Sequence, residues 1–223
     1  MQKAILTILF LAMESFLPLL AQSVVDVKNE PRHHNIFENE YVRILDVHIP
    51  PRDTSLFHKH SLPSIFLSLS NVRSGSQVIT ENKNAPARQQ GNISFEDFTL
   101  GSRIHRVWNS DSVAEFHPMD IELLHKNPVI VAPTLKDEAL QLVFDVVQSR
   151  AYRFILAAHS DKSLLPVKVP LLIICLSDSE SGIEVNGKTF RKKGDYLFIE
   201  PLQIHRYKNG DDKSTELAVI EIK

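Results

Sequence analysis

Apolar and polar residues alternate in short runs along most of the chain, and a period of two marks a strand with one buried face. Tyr41 to Ile49, Ile65 to Leu69, Phe95 to Leu100, Ile104 to Trp108, Met119 to Leu123, Ala151 to Ala158, Tyr196 to Ile199 and Leu217 to Ile222 each predict a strand, with a shorter one at Ile36-Phe37. Ile65 to Leu69 sets Ile and Leu against Phe and Ser, which suits a sheet whose two faces differ. Leu171 to Leu176 is apolar throughout and predicts a central strand, and Ile183 to Phe190 predicts a hairpin closed by Asn186-Gly187. Gln22 to Arg32 reads as a polar approach arm, and Asn71 to Asn92 as a long loop or ragged hairpin around Gln77-Val78-Ile79. Lys136 to Gln148 points two ways. Thr134 ahead of Asp137, with Ala139, Leu140, Val143 and Val147 near helical spacing, favours a helix, while the internal repeat favours a strand for its second part. Many short strands separated by turn residues predict an all-β sandwich or barrel.

The repeat is direct. Sliding the sequence by 100 places sets Ile104-His105-Arg106-Val107-Trp108-Asn109 on Ile204-His205-Arg206-Tyr207-Lys208-Asn209, four identities in six. Sliding it by 110 sets Ile36-Phe37 on Val146-Val147 and Val42-Arg43-Ile44 on Tyr152-Arg153-Phe154. Such self-similarity predicts a duplication, with halves at 22–127 and 128–223 joined through Val129 to Pro133.

Composition changes this picture in three places. The apolar runs Ala4 to Ala12 and Phe16 to Ala21 after Lys3 predict an export signal over residues 1–21, hence a periplasmic or secreted protein, with a retained single-pass anchor as the competing reading. Cys175 is the only cysteine, so no intramolecular disulfide forms and stability rests on the core. A formal net charge of −2 gives no sign of a nucleic-acid partner, and nothing beyond the N-terminal segment points to a membrane. Glycine is scarce at 7 residues, so Asn, Ser, Asp and the 12 prolines must supply most of the turns.

The candidate chemistry lies in histidines. His58 and His60 are one residue apart on a predicted strand and share a face, and His105 heads another; neutral imidazole is the commonest side-chain metal ligand. With His58-x-His60, His105 ahead of Asn109, and Gly194, Pro201, His205 and Asn209 in the second half, residues 35–223 resemble the cupin superfamily, specifically a bicupin. That resemblance implies two double-stranded β-helix (jelly-roll) barrels. It implies a divalent transition metal on His58, His60 and His105, iron first, with manganese, zinc, nickel or copper as the others. The family's acidic ligand would fall near Ser64 or Ile65, and neither is acidic. The second half places Pro166 and Lys168 where His58 and His60 stand, which leaves His205 alone in a degenerate barrel and suggests that it hydrogen-bonds Asn209 or backbone.

Because some all-histidine cupins are dioxygenases, the resemblance implies a dioxygenase-type oxidoreductase acting on a small molecule. A non-catalytic module for a sugar or organic acid, and a metal-dependent isomerase or lyase, are the alternatives. No catalytic residue is singled out: Glu96, Asp97 and Glu115 are the acids nearest His105 in sequence. His33-His34 reads as an exposed polar pair, with reach across to a barrel mouth or metal binding of its own as the alternative; His48, His117, His125 and His159 read as surface or strand-edge residues, and Trp108 as core packing. Arg106 and Arg206 suggest a repeated salt bridge. A monomer and a homodimer are equally consistent with a duplicated chain.

Overall fold

In the computed structural model, residues 23–80, 89–125 and 133–223 are described. The expected export signal at 1–21, the join at 127–128 and nearly all of the Val129 to Pro133 connector lie outside them. The first half carries β1 (Val25–Asp26), β2 (His33–Glu38), β3 (Val42–Val47), β4 (His58–His60), β5 (Ser64–Ser68), β6 (Ser74–Val78), β7 (Ile93–Glu96), β8 (Arg103–Asn109) and β9 (Pro118–Leu123). The second carries β10 (Leu140–Asp145), β11 (Ser149–Leu156), β12 (Asp161–Leu164), β13 (Leu171–Cys175), β14 (Ile183–Val185), β15 (Lys188–Phe190), β16 (Tyr196–Ile199), β17 (His205–Asn209) and β18 (Thr215–Ile222). The described residues contain no α-helix, and no helix among them is long and apolar enough to cross a membrane.

Each half is a pair of sheets, and the two halves repeat the same strand order. The five-stranded sheets run β2-β3-β9-β5-β7 and β10-β11-β18-β13-β16. The four-stranded sheets share the core β4-β8-β6 and β12-β17-β14, with β1 and β15 added at opposite edges. The duplication is therefore a property of the fold, but its register differs from the 110-residue offset. Arg43 opposes Glu122 and Arg150 opposes Glu221 in equivalent positions, an offset of 107. The same offset carries a bulge in β2, between Asn35 and Phe37, onto one in β10, between Leu142 and Phe144. Arg153 has a separate task, bonding Glu216 and the Gly91 carbonyl.

The five-stranded sheets face one another across an apolar seam. Nine buried side chains from the first half, including Ile44, Ile65, Leu67 and Ile121, pack with seven from the second, including Leu172, Ile174 and Ile220. The alternation in β5 follows from this: Ile65 and Leu67 enter the seam, while Ser64, Phe66 and Ser68 face the first barrel. β13 is apolar throughout because Leu172 and Ile174 enter the seam while Leu171, Ile173 and Cys175 fill the second barrel. Equivalent aromatic pairs close the seam, Phe37 on Phe198 at 5.8 Å between ring centres and Phe144 on Phe95 at 5.9 Å. At its rim Gly194 turns with φ 90°, where a Cβ would come within 3.2 Å of Leu69.

Several element boundaries differ from the sequence pattern for local reasons. No helix forms at Lys136: Asp137 accepts the Ala139 amide and Lys162, making a turn that leads into β10. β7 ends at Glu96 because Asp97 accepts both the amide and hydroxyl of Thr99. The approach arm adds β1 beside β4, and β12, a polar edge strand, had no apolar alternation to announce it. Asn186 and Gly187 have φ of 47° and 81°, as the hairpin turn requires. Arg52 and His159, at equivalent turns, adopt φ of 64° and 53° without glycine.

The repeated asparagines are structural clamps. Asn209 Nδ2 donates to the carbonyls of Leu156, Ala157 and Lys213, and Asn109 Nδ2 donates to those of Ile49 and Ala114. Asn209→Ala leaves these buried acceptors unsatisfied and is expected to lower stability by about 1–3 kcal/mol in urea unfolding.

Candidate metal centre

β4 and β8 pair antiparallel with His58 opposite His105 and His60 opposite Arg103. The three histidines are thereby brought to one inner wall, where each is buried, and their ligand nitrogens lie within 4.8 Å of one another. His60 Nε2 and His105 Nε2 approach to 3.0 Å. The far side of two of the rings is hydrogen-bonded, and that of the third lies near a carboxylate. His58 Nδ1 donates to the Leu56 carbonyl at 3.0 Å, His105 Nδ1 meets Ser76 Oγ at 2.9 Å, and His60 Nδ1 faces Asp120 Oδ2 at 3.5 Å. Holding one nitrogen of an imidazole fixes its tautomer and turns the other nitrogen to a metal.

Electrostatics favour the neutral rings that a metal requires. Burial, then the neighbouring imidazoles, lower the pKa of His58 to about 4 and of His60 to about 2, and hold His105 well below its ordinary value. Burial and nearby Glu122 push the Asp120 carboxyl well above the usual range. His60 Nδ1 has no hydrogen-bond partner among the described residues. A cation among the three Nε2 atoms fits that orphaned polar pair, because its charge would draw Asp120 toward the carboxylate form and polarise the His60 Nδ1–H toward it.

No protein-family model matches the sequence, and no curated relative matches it by sequence. Solved structures do match by shape. Salicylate 1,2-dioxygenase from Pseudoaminobacter salicylatoxidans, in its gentisate adduct, is 12% identical with a TM-score of 0.61, covering 97% of this chain and 79% of that one. YhhW from Escherichia coli is 16% identical with a TM-score of 0.59, covering 87% and 89%. The cupin 2 conserved barrel domain protein from Leptotrichia buccalis is 12% identical with a TM-score of 0.51, covering 85% and 88%. The chain has the fold of a bicupin.

The interiors of the two barrels differ. Among the described residues, sixteen buried side chains fill the second barrel, whereas only Val47, Ile49, Val72 and Phe116 form an inner apolar cluster in the first. Strand register aligns the exchanges: Ser64 with Leu171, Ser76 with Val185, Val107 with Tyr207 and Asp120 with Val219. Leu164 stands opposite His205 as His58 stands opposite His105. The position of His58 is thus taken by Leu164, and that of His60 by Pro166, instead of Pro166 and Lys168. His205 is buried, its Nδ1 makes no hydrogen bond, and Asn209 is committed to the clamp, so the expected His205–Asn209 bond is absent.

The first barrel keeps a cavity of about 50 Å³, several times the roughly 10–15 Å³ that one water needs. Phe66, Phe98, Val47 and Val107 line it beside the triad, with Arg103 and Glu96. Arg103 Nη1 holds Glu96 at 2.6 Å, while its buried Nε has no hydrogen-bond partner. Of the three acids noted in sequence only Glu96 reaches this cavity. Asp97 bonds Thr99 and Gln148, and Glu115 bonds His48. Arg106 makes no repeated salt bridge; it donates to Gln77 and lies over the Phe57 ring. Trp108 is half-buried and lies flat over Gly75.

Two residues of the arm complete the site. His33 is buried and lines the cavity, its ring 4.7 Å from that of His58, whereas His34 is exposed. Glu30 accepts from His33 Nδ1 at 2.7 Å, the Arg32 amide at 2.7 Å and the Leu56 amide at 3.0 Å. Burial opposes the charge on Glu30, but these bonds outweigh it and lower the pKa from 4.5 to about 2. A depressed carboxylate stabilises the fold above its unfolded pKa and loses that contribution as pH falls through the folded one. The wild type is expected to lose stability more steeply than Glu30→Gln between pH 4.5 and 2, as measured by urea unfolding across that range.

Proposed function

We propose that this bicupin is a metal-dependent oxidoreductase of dioxygenase type, with iron on His58, His60 and His105, acting on a small, largely apolar organic acid. The observation that carries the reading is the convergence of three neutral imidazoles, two of them hydrogen-bonded at Nδ1, in the barrel whose interior keeps a cavity. Such a ligand set leaves positions open, and iron held there supplies a site for dioxygen and substrate side by side. The gentisate bound by the dioxygenase of similar fold supports an aromatic acid as substrate.

The chain's own groups divide the remaining work. Phe66, Phe98 and Val107 exclude water and receive an apolar body. Arg103, already bonded to Glu96, retains its buried Nε–H for a substrate carboxylate. His33, with Nδ1–H held by Glu30, turns its other nitrogen toward the cavity as an acceptor. Asp120, 3.5 Å from His60 Nδ1, would take up that N–H once a cation sits at the other nitrogen.

Purified without chelator, the wild type is expected to carry about one equivalent of iron per chain, and His60→Ala less than about a tenth of that. With small aromatic acids, Arg103→Met is expected to raise KM about 10- to 100-fold, the cost of one charge-assisted bond, with a smaller change in kcat, read by oxygen consumption. A folded wild type that stays iron-free after anaerobic iron(II) is supplied ends the oxygenase reading and leaves a small-molecule binding module, to be sought by ligand titration.

A further inference from the structure

A second group of potential ligands sits on the opposite face of the cavity wall. In β3 and the residues after it, Val47 faces the cavity while Asp46 and His48 face away; ahead of and within β9, Phe116 and Pro118 line the cavity while His117 faces away. Asp46, His48 and His117 place one ligand atom each within 4.8 Å of the others. His48 Nε2 lies 3.0 Å from Asp46 Oδ2, and His117 Nε2 lies 2.7 Å from Asp46 Oδ1. The imidazoles stack at 4.4 Å, 24° from parallel.

One feature of His48 separates this group from an ordinary hydrogen-bonded cluster. Its Nδ1 faces Glu115 Oε2 at 3.0 Å while its Nε2 faces Asp46, so both ring nitrogens meet carboxylate oxygens. A neutral imidazole has one N–H. It satisfies one carboxylate and directs a lone pair at the other. The arrangement calls for a cation, either a second proton on the ring or a metal ion at Nε2. With Nδ1–H donated to Glu115, His48 has the carboxylate-backed posture of a metal ligand.

We propose that Asp46, His48 and His117 form a second divalent-metal site of two imidazoles and one carboxylate, with Glu115 orienting His48. This donor set suits zinc, nickel or copper. The half-buried ligands leave coordination positions for water, and His34, its ring 5.8 Å from that of His48, stands near as a further imidazole. The ion would tie β3 to the chain entering β9 at the rim of the seam, where His117 meets Gly194. The site is independent of the triad and of the reaction proposed for it.

The test is a zinc titration of the full chain by calorimetry, repeated with His117→Ala, with the near-isosteric Asp46→Asn, and with the double variant His58→Ala/His105→Ala, each checked for fold by circular dichroism. The double variant is expected to keep about one zinc equivalent and to gain thermal stability with it. His117→Ala and Asp46→Asn are each expected to bind about one equivalent fewer than the wild type. If the wild type binds one equivalent that survives in the double variant and vanishes in Asp46→Asn, this site stands, whether or not iron already fills the triad. If folded Asp46→Asn and His117→Ala keep the wild-type stoichiometry, or the folded double variant binds no zinc, the proposal is overturned.

Discussion

The apolar seam between the two five-stranded sheets is the constraint on which the rest of the molecule depends. Sixteen buried side chains meet there, and at roughly 1.5–3 kcal/mol per large apolar side chain no other shared surface of the chain offers comparable stabilisation. A strand that lends one face to the seam has its register fixed, because a slip of one residue would exchange Ile65 and Leu67 for Ser64, Phe66 and Ser68. The inner faces of the barrels are then free to diverge. In the second half they carry leucine, isoleucine and valine and close on themselves. In the first they carry serine, histidine and aspartate, and the interior stays open.

That opening concentrates polar groups where water is scarce. Toward the end of the first barrel Arg43 bonds Glu122 and Glu38, so charge is buried with its counter-charge. At the centre no arginine or lysine answers Asp120 in the same way, and the three rings are neutral because burial and one another's proximity make a charged form costly. A buried polar group without a partner costs on the order of 1–3 kcal/mol. An arrangement holding His60 Nδ1 and Asp120 so exposed to that penalty makes physical sense as the surroundings of a cation.

Much of this was legible in the sequence. The His58-x-His60 pair, the repeated Ile-His-Arg-x-x-Asn and the two-faced pattern of β5 give the duplication, the triad and the difference between the faces of that sheet. What stayed hidden shares one cause: in a sheet buried on both sides, alternation separates the faces without saying which is inside. Met119-Asp120-Ile121-Glu122-Leu123 looks like an amphipathic strand with its acids in water, yet the apolar set takes the seam and both acids point inward. Glu30 was hidden differently, since the backbone amide of Leu56 and the ring of His33 reach it only after the arm lies along β4. The offset of 107 was masked by Arg153, whose resemblance to Arg43 is one of residue type and not of position.

The buried arginine pairs show how one strand wall can serve two faces. Arg43 opposes Glu122 across β3 and β9, and Arg150 opposes Glu221 across β11 and β18. The second pair lies in a barrel filled by sixteen buried side chains, with no group of three potential metal ligands among the described residues, so the pairing does not depend on the triad's chemistry. In the first barrel the same register has a second effect. With Arg43 held against Glu122, Val47 must face the cavity and Asp46 and His48 must face outward. A one-residue slip of β3 would put two polar ligands among Phe116 and Val107 and carry Val47 toward solvent. The outward facing of Asp46 and His48 and the inward facing of Val47 thus follow from the same register that seats Val42 and Ile44 in the seam and sets Arg43 against Glu122.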